Sequence, residues 1–310
     1  MNGHVSVSAI NSMRQDDYPS RQGQSAHFIK RQDPVVYSED SAKSPVKPEL
    51  IEHYQQNGFV VLPRFFSDDK LKAMQEELHR LRFDPALSQT NEVITEPESQ
   101  EIRSIFRVHA ISPLYAMIAS DKTLAKIAQY ILNDEVYIYQ SRLNYKPGFQ
   151  GKEFYWHSDF ETWHVEDGMP RMRCLSMSIA LSDNTISNGP LMVIPQSHQC
   201  YAVCEGETPE NHYQSSLKKQ EYGVPSHSQL SELVDQGGIE SLTCPAGSVI
   251  IFDCNTMHGS NSNITPQPRS NLFFVYNALS NRVQAPFSGQ KPRPEYICSR
   301  ETINPIIINA

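Results

Sequence analysis

From Glu135 onward this 310-residue chain is written in short β-rich runs: Val136 to Tyr139, Cys174 to Leu181, Leu191 to Ile194, Ser248 to Phe252 and Leu272 to Tyr276. Pro, Gly, Asn and Ser fill the gaps between them, as turns require. Short strands without alternating helices exclude a doubly wound sheet and predict a sandwich or barrel. Upstream the periodicity is helical. Leu50, Ile51 and Tyr54 share one face of a helix that Gly58 ends, and Phe59 to Leu62 reads as a buried strand. Ser67-Asp68-Asp69 caps a helix whose core stripe is Leu71, Met74, Leu78 and Leu81. Residues 84–101 read as a surface loop, and a further helix covers Leu124 to Leu132. Residues 1–47, rich in Ser, Gln, Asp and Arg, read as a mobile arm or a wrapping segment.

Charge narrows the function. The formal net charge is −8 and no dense Lys/Arg tract occurs, which argues against nucleic-acid and anionic-membrane partners. The longest apolar runs, such as Val249 to Phe252, fall far short of the roughly 20 residues of a membrane helix. Residues 1–20 have no apolar h-region and carry Asp16 and Asp17, unlike a secretory signal. None of the six cysteines sits in a CxxC pair, so zinc-ribbon and thioredoxin-type chemistry is not indicated. A soluble, cytoplasmic, enzyme-sized protein with reduced thiols is expected.

The chemistry-bearing stretch is Phe154-Tyr155-Trp156-His157-Ser158-Asp159-Phe160-Glu161-Thr162-Trp163-His164. On an extended strand His157 and Asp159 would point to one face, offering two ligands of a 2-His-1-carboxylate iron site. A His-x-Asp triplet alone is weak evidence. The second half of the pattern strengthens it. Pro245 to Asp253 reads as a turn and buried strand, and His258-Gly259-Ser260 comes just past its end. Arg269 opens the next strand, where a guanidinium could clamp the distal carboxylate of 2-oxoglutarate. His164 suits a packing or supporting role, and His198 a loop or the edge of a substrate site. His109, His212 and His227 have no partner pattern. Cys254 is a conceivable thiolate ligand, but soft sulfur suits zinc better than an O₂-activating iron.

Residues Phe154 to Pro170 resemble the signature stretch of ectoine hydroxylases, Fe(II)- and 2-oxoglutarate-dependent dioxygenases of the phytanoyl-CoA hydroxylase superfamily. Asn188-Gly189-Pro190-Leu191 and Pro195-Gln196-Ser197-His198 resemble that superfamily's loop before a cavity strand, and the likeness runs from about Asp16 to Pro294. The resemblance implies an α+β, mainly β fold: a double-stranded β-helix (jelly-roll, cupin-like) core with N-terminal flanking helices. It implies a mobile arm over residues 1–15 and a single domain over 16–310, with helical support over about 48–134 and the core over about 135–280. Iron would be held by His157, Asp159 and His258, and 2-oxoglutarate by Arg269 and Lys146. Gln140, Thr162, Trp163, Tyr276 and Arg293 match positions that line the ectoine site. There Trp163 and Tyr276 would face the amidinium by cation–π contact, and Arg293 would bind the carboxylate in bidentate fashion. Two departures stand out: Gln196 where the family has Gly, which suggests a different turn, and Tyr276 where Phe is expected.

The implied activity is conversion of ectoine, 2-oxoglutarate and O₂ to 5-hydroxyectoine, succinate and CO₂, a step of compatible-solute biosynthesis under osmotic stress. A homodimer is also implied. Three alternatives remain open on sequence: a hydroxylase of another small metabolite such as an amino acid, a non-catalytic jelly-roll solute-binding protein, and a structural zinc protein. Asp159 speaks against a halogenase, whose site lacks the carboxylate ligand.

Overall fold

The computed structural model describes residues 15–96, 99, 101–217 and 222–308, so all but the last residue of the expected arm over 1–15 lies outside the described residues. The N-terminal third holds β1 (His27–Lys30), α1 (Pro48–Asn57), β2 (Phe59–Leu62), α2 (Asp68–Arg82), β3 (Val93–Thr95) and β4 (Ile102–Phe106). Helices α3 (Val108–Ile111), α4 (Pro113–Ala119) and α5 (Lys122–Leu132) follow. Next come β5 (Val136–Lys146), β6 (Phe154–His157), α6 (Asp159–Asp167), β7 (Cys174–Ala180), β8 (Leu191–Val193) and β9 (Cys200–Val203). The chain continues through α7 (Tyr213–Ser216), α8 (His227–Gly237), β10 (Glu240–Leu242), β11 (Val249–Asp253), β12 (His258–Ser260) and β13 (Arg269–Ala278).

Antiparallel pairing builds a seven-stranded sheet, β2-β11-β7-β13-β5-β4-β3, and a four-stranded sheet, β10-β8-β12-β6. The large sheet is the middle layer. In β11, Val249 and Ile251 pack with the helical core, while Ile250 and Phe252 pack with Leu191, Val193 and Leu242 of the small sheet. A strand buried on both faces reads as a continuous apolar run, which is why Val249-Ile250-Ile251-Phe252 shows no alternation. This sandwich is the expected jelly roll.

The helical expectations hold in detail. Gly58 closes α1 in the left-handed conformation, φ 84°, and Met74, Leu78 and Leu81 of α2 are buried. Within the stretch expected to be a surface loop, Val93–Thr95 instead adds a strand to the edge of β4. Residues 15–47 wrap rather than swing free. β1 pairs with β9, and Arg31 is buried in a bidentate ion pair with Asp253 at 2.7 and 3.0 Å. Among the described residues no helix is long and apolar enough to cross a membrane.

Candidate metal centre

Cross-strand pairing explains how two distant histidines meet. His157 ends β6 and His258 opens β12, and the two are direct partners, with ring centroids 4.3 Å apart. Asp159 reaches them differently from the strand geometry expected on sequence. The strand stops at His157, Ser158 turns the chain, and Asp159 is the first residue of α6, where the helix dipole favours a carboxylate. Its oxygens lie 3.7 Å from His157 Nε2 and 3.9 Å from His258 Nε2. Ser176 Oγ donates to Asp159 Oδ2 at 3.4 Å.

The imidazole tautomers are set by the backbone. His157 Nδ1 donates to Tyr155 O at 2.7 Å and His258 Nδ1 to Thr256 O at 2.9 Å, so both rings turn Nε2 toward the gap. Burial, with His258 as neighbour, pushes the His157 pKa down to about 4, so the ring is neutral at neutral pH. One ligand atom from each of the three side chains lies within 4.8 Å of the others. Two imidazole nitrogens and one carboxylate, with no thiolate, form the donor set of non-haem Fe(II). The buried Cys254 thiol is pushed far up by burial, faces Cys174 and stands outside this cluster.

A cavity between the two sheets opens onto the cluster. Along β5, Gln140, Arg142 and Asn144 present alternate side chains to it at steps of about 7 Å. Arg269 lies on the wall, directly across from Lys146 in the β13–β5 register. Both are buried, and among the described residues neither has a carboxylate within ion-pair distance. Arg269 Nε has no hydrogen-bond partner among them. Burial lowers both groups, Arg269 to about 10, and Lys146 well below its usual value with Arg269 as the next cause. An uncompensated buried cation is costly, and a carboxylate entering the cavity would relieve that cost at Arg269. Lys146 itself is not on the cavity wall. Its Nζ donates to Ser260 Oγ at 2.9 Å and to Asn261 O, so it supports Ser260 from behind rather than facing a ligand.

The residues matched to an ectoine site divide. Gln140, Thr162, Trp163 and Arg293 all line the cavity. Trp163 packs edge-on against Tyr139 at 5.2 Å, and Gln140 donates to Ile297 O at 2.9 Å. Arg293 does not present its Nε fork, because Nε donates to Asp167 Oδ1 at 2.9 Å and Nη2 to Asp167 Oδ2. Tyr276 is absent from the cavity. It shares a strand face with Leu272 and Phe274, packs in the helical core, and donates to Ala119 O at 2.8 Å. Strand parity is the physical reason: Arg269 and Tyr276 are an odd number of residues apart, so they face opposite layers. The hydroxyl that departs from the family's Phe therefore serves α4.

His164 and His198 are structural. His164 bridges Met169 O at 2.8 Å and Asp16 Oδ1 at 2.9 Å and stacks on Phe287. His198 is fully buried against Gly58 and bonds Gln55 O at 3.1 Å, so it is no substrate-edge residue. Arg142 was not singled out on sequence. It lines the cavity, donates Nη1 to Gln140 Oε1 at 3.1 Å and keeps an unpartnered Nε among the described residues. Its two-residue spacing from Gln140 and Asn144 was the available signal.

Residues 54–271 match the family model described as phytanoyl-CoA dioxygenase (PhyH). The chain belongs to that family. This dioxygenase is 54% identical over 296 residues to the ectoine dioxygenase of Stutzerimonas stutzeri (strain A1501), covering 96% of this chain and 98% of the relative. The crystal structure of EctD from S. alaskensis with bound Fe matches with a TM-score of 0.85 and 49% identity, over 95% of this chain and 98% of that one. The same protein with 2-oxoglutarate and 5-hydroxyectoine matches with a TM-score of 0.84 and 51% identity, covering 92% and 95% of the two chains.

Proposed function

We propose that this dioxygenase is an ectoine 5-hydroxylase, converting ectoine, 2-oxoglutarate and O₂ to 5-hydroxyectoine, succinate and CO₂. The observation that carries the reading is one cavity joining the His157–Asp159–His258 cluster to the buried cation Arg269 and to Gln140, Thr162, Trp163 and Arg293. The relatives named above make ectoine the substrate of choice.

Fe(II), when bound, supplies O₂ activation coupled to oxidative decarboxylation of 2-oxoglutarate. The three side chains would hold such an ion and leave it coordination positions for the co-substrate and O₂. Arg269 receives the distal carboxylate of 2-oxoglutarate, with Lys146 holding Ser260 on the adjoining wall. The Trp163 ring offers a face to the delocalised amidinium, and Gln140 and the remaining N–H groups of Arg293 meet ring nitrogen and carboxylate. Phe154, Phe273, Leu191 and Leu217 line the same cavity and keep water from the reacting carbon. We place the enzyme in the cytoplasm, in keeping with its six unbridged cysteines.

Oxygen-dependent product analysis with ectoine tests this directly. The parent yields hydroxylated product with stoichiometric succinate, and Asp159→Ala, still folded by circular dichroism, yields none. Turnover of proline without turnover of ectoine would select another hydroxylase. Failure of anaerobic Fe(II) plus 2-oxoglutarate to raise a charge-transfer band near roughly 500 nm, expected of such a chelate at a facial triad, would select a non-catalytic binder. Activity restored by Zn(II) rather than Fe(II) would refute the metal assignment.

A further inference from the structure

Asp167 is fully buried at the last position of α6, and nothing in helix energetics explains it. A carboxylate at a helix C-terminus meets the negative end of the dipole, an unfavourable placement. The chain surrounds it with donors instead. Tyr139 Oη, Arg293 Nε and Arg293 Nη2 all donate to its two oxygens. Gly168 then ends the helix at φ 75°, so close to residues 284–285 that a Cβ would stand 2.4 Å from Ala285 O and Gln284 O. The end of α6 is therefore held as firmly as its beginning.

From these contacts we infer that Asp167, braced by Tyr139, is the positioning residue that aims Arg293 at the substrate. A guanidinium carries five N–H donors. Asp167 engages two of them through the Nε–Nη2 edge, which fixes the plane of the group and turns the Nη1–Nη2 edge elsewhere. Arg293 borders both the catalytic cavity and a neighbouring one lined by Glu166, His212 and Lys291, so its side chain has somewhere else to go. Asp159 begins α6 and Asp167 ends it, with Thr162 and Trp163 on the cavity wall between them. The helix thus spans about 12 Å between the metal ligand and the anchor of Arg293 and sets the distance from iron to bound carboxylate.

The inference rests on the ectoine reading, and the test separates the two. Asp167→Asn keeps the volume and removes one acceptor and the charge. Its KM for ectoine rises at least about tenfold with kcat within about threefold, while KM for 2-oxoglutarate stays within about twofold. The Fe(II)–2-oxoglutarate absorption band persists. Asp167→Glu keeps the charge but lengthens the arm, and also raises KM for ectoine. Tyr139→Phe leaves the ion pair intact and raises it by about two- to fivefold; this variant carries the test if the Asp167 variants do not fold. An unchanged KM for ectoine, an equal loss toward 2-oxoglutarate, or full rescue by Asp167→Glu would overturn the positioning role. A parent that does not turn over ectoine overturns the substrate assignment and this role with it; unchanged variants of an active parent overturn this role alone.

Discussion

At Gln196 the backbone is left-handed, φ 68°, and the side chain is exposed. At the position where the family has Gly, Gln196 adopts a conformation that a Gly would favour and carries the strain. Relief of about 1–2 kcal/mol, less about 0.5–1 for the extra freedom of an unfolded Gly, predicts that Gln196→Gly stabilises the fold by about 0.5–1 kcal/mol. Urea denaturation of the metal-free protein measures this. His109 gives a pH dependence. Its Nδ1 accepts from Ser141 Oγ at 2.6 Å, since that oxygen already takes the His109 backbone N–H, and burial followed by Arg107 lowers its pKa to about 4. The unfolded ring protonates near pH 6.5, so between pH 6.5 and 4 the unfolded state binds the extra proton and stability falls. The loss approaches about 3 kcal/mol at full shift, and His109→Gln flattens the profile over that window relative to the parent.

The element that matters most is α6, every residue of which is buried despite its polar composition. Polar burial on that scale needs partners, and the N-terminal segment brings them. Arg21 donates to Glu161 at 2.9 Å and to Glu166 at 2.7 Å, with Ser20 and His212 completing the two carboxylates. Glu166 is held down to about 2: burial opposes its charge, but the His212 hydrogen bond and Arg21 more than offset that. Removing the guanidinium strands two buried carboxylates, so Arg21→Ala costs about 3–5 kcal/mol by chemical denaturation. The cost falls when Glu161→Gln is combined with it, the mark of a coupled pair.

For the whole molecule, the buried cation Arg269 on the cavity wall predicts ligand-linked stability. Binding to the folded state alone adds about 2.7 kcal/mol at a ligand concentration 100 times Kd. Adding 2-oxoglutarate to the Fe(II)-loaded protein therefore raises the thermal midpoint, and Arg269→Met loses that increment while keeping the increment due to Fe(II). Scanning calorimetry with and without each ligand separates the two. Equal gains in parent and variant would show that the guanidinium does not receive the co-substrate.

Local chemistry made the strands, the capped helices and the His-x-Asp…His pattern readable from sequence alone, because β-branched runs, Ser caps and ligand types express themselves without distant partners. Strand parity was also present in the sequence and already placed Tyr276 away from Arg269. Tertiary structure decided the rest. Only cross-strand register could set His157 against His258, and only the turn at Ser158 brings Asp159 in from a helix rather than a strand. The β5 bulge that turns both Tyr139 and Gln140 inward, the use of half of Arg293 by Asp167, and the wrapping of residues 15–47 all depend on groups far apart in the chain. Such contacts form when folding brings buried charges together, and no window of neighbouring residues records them.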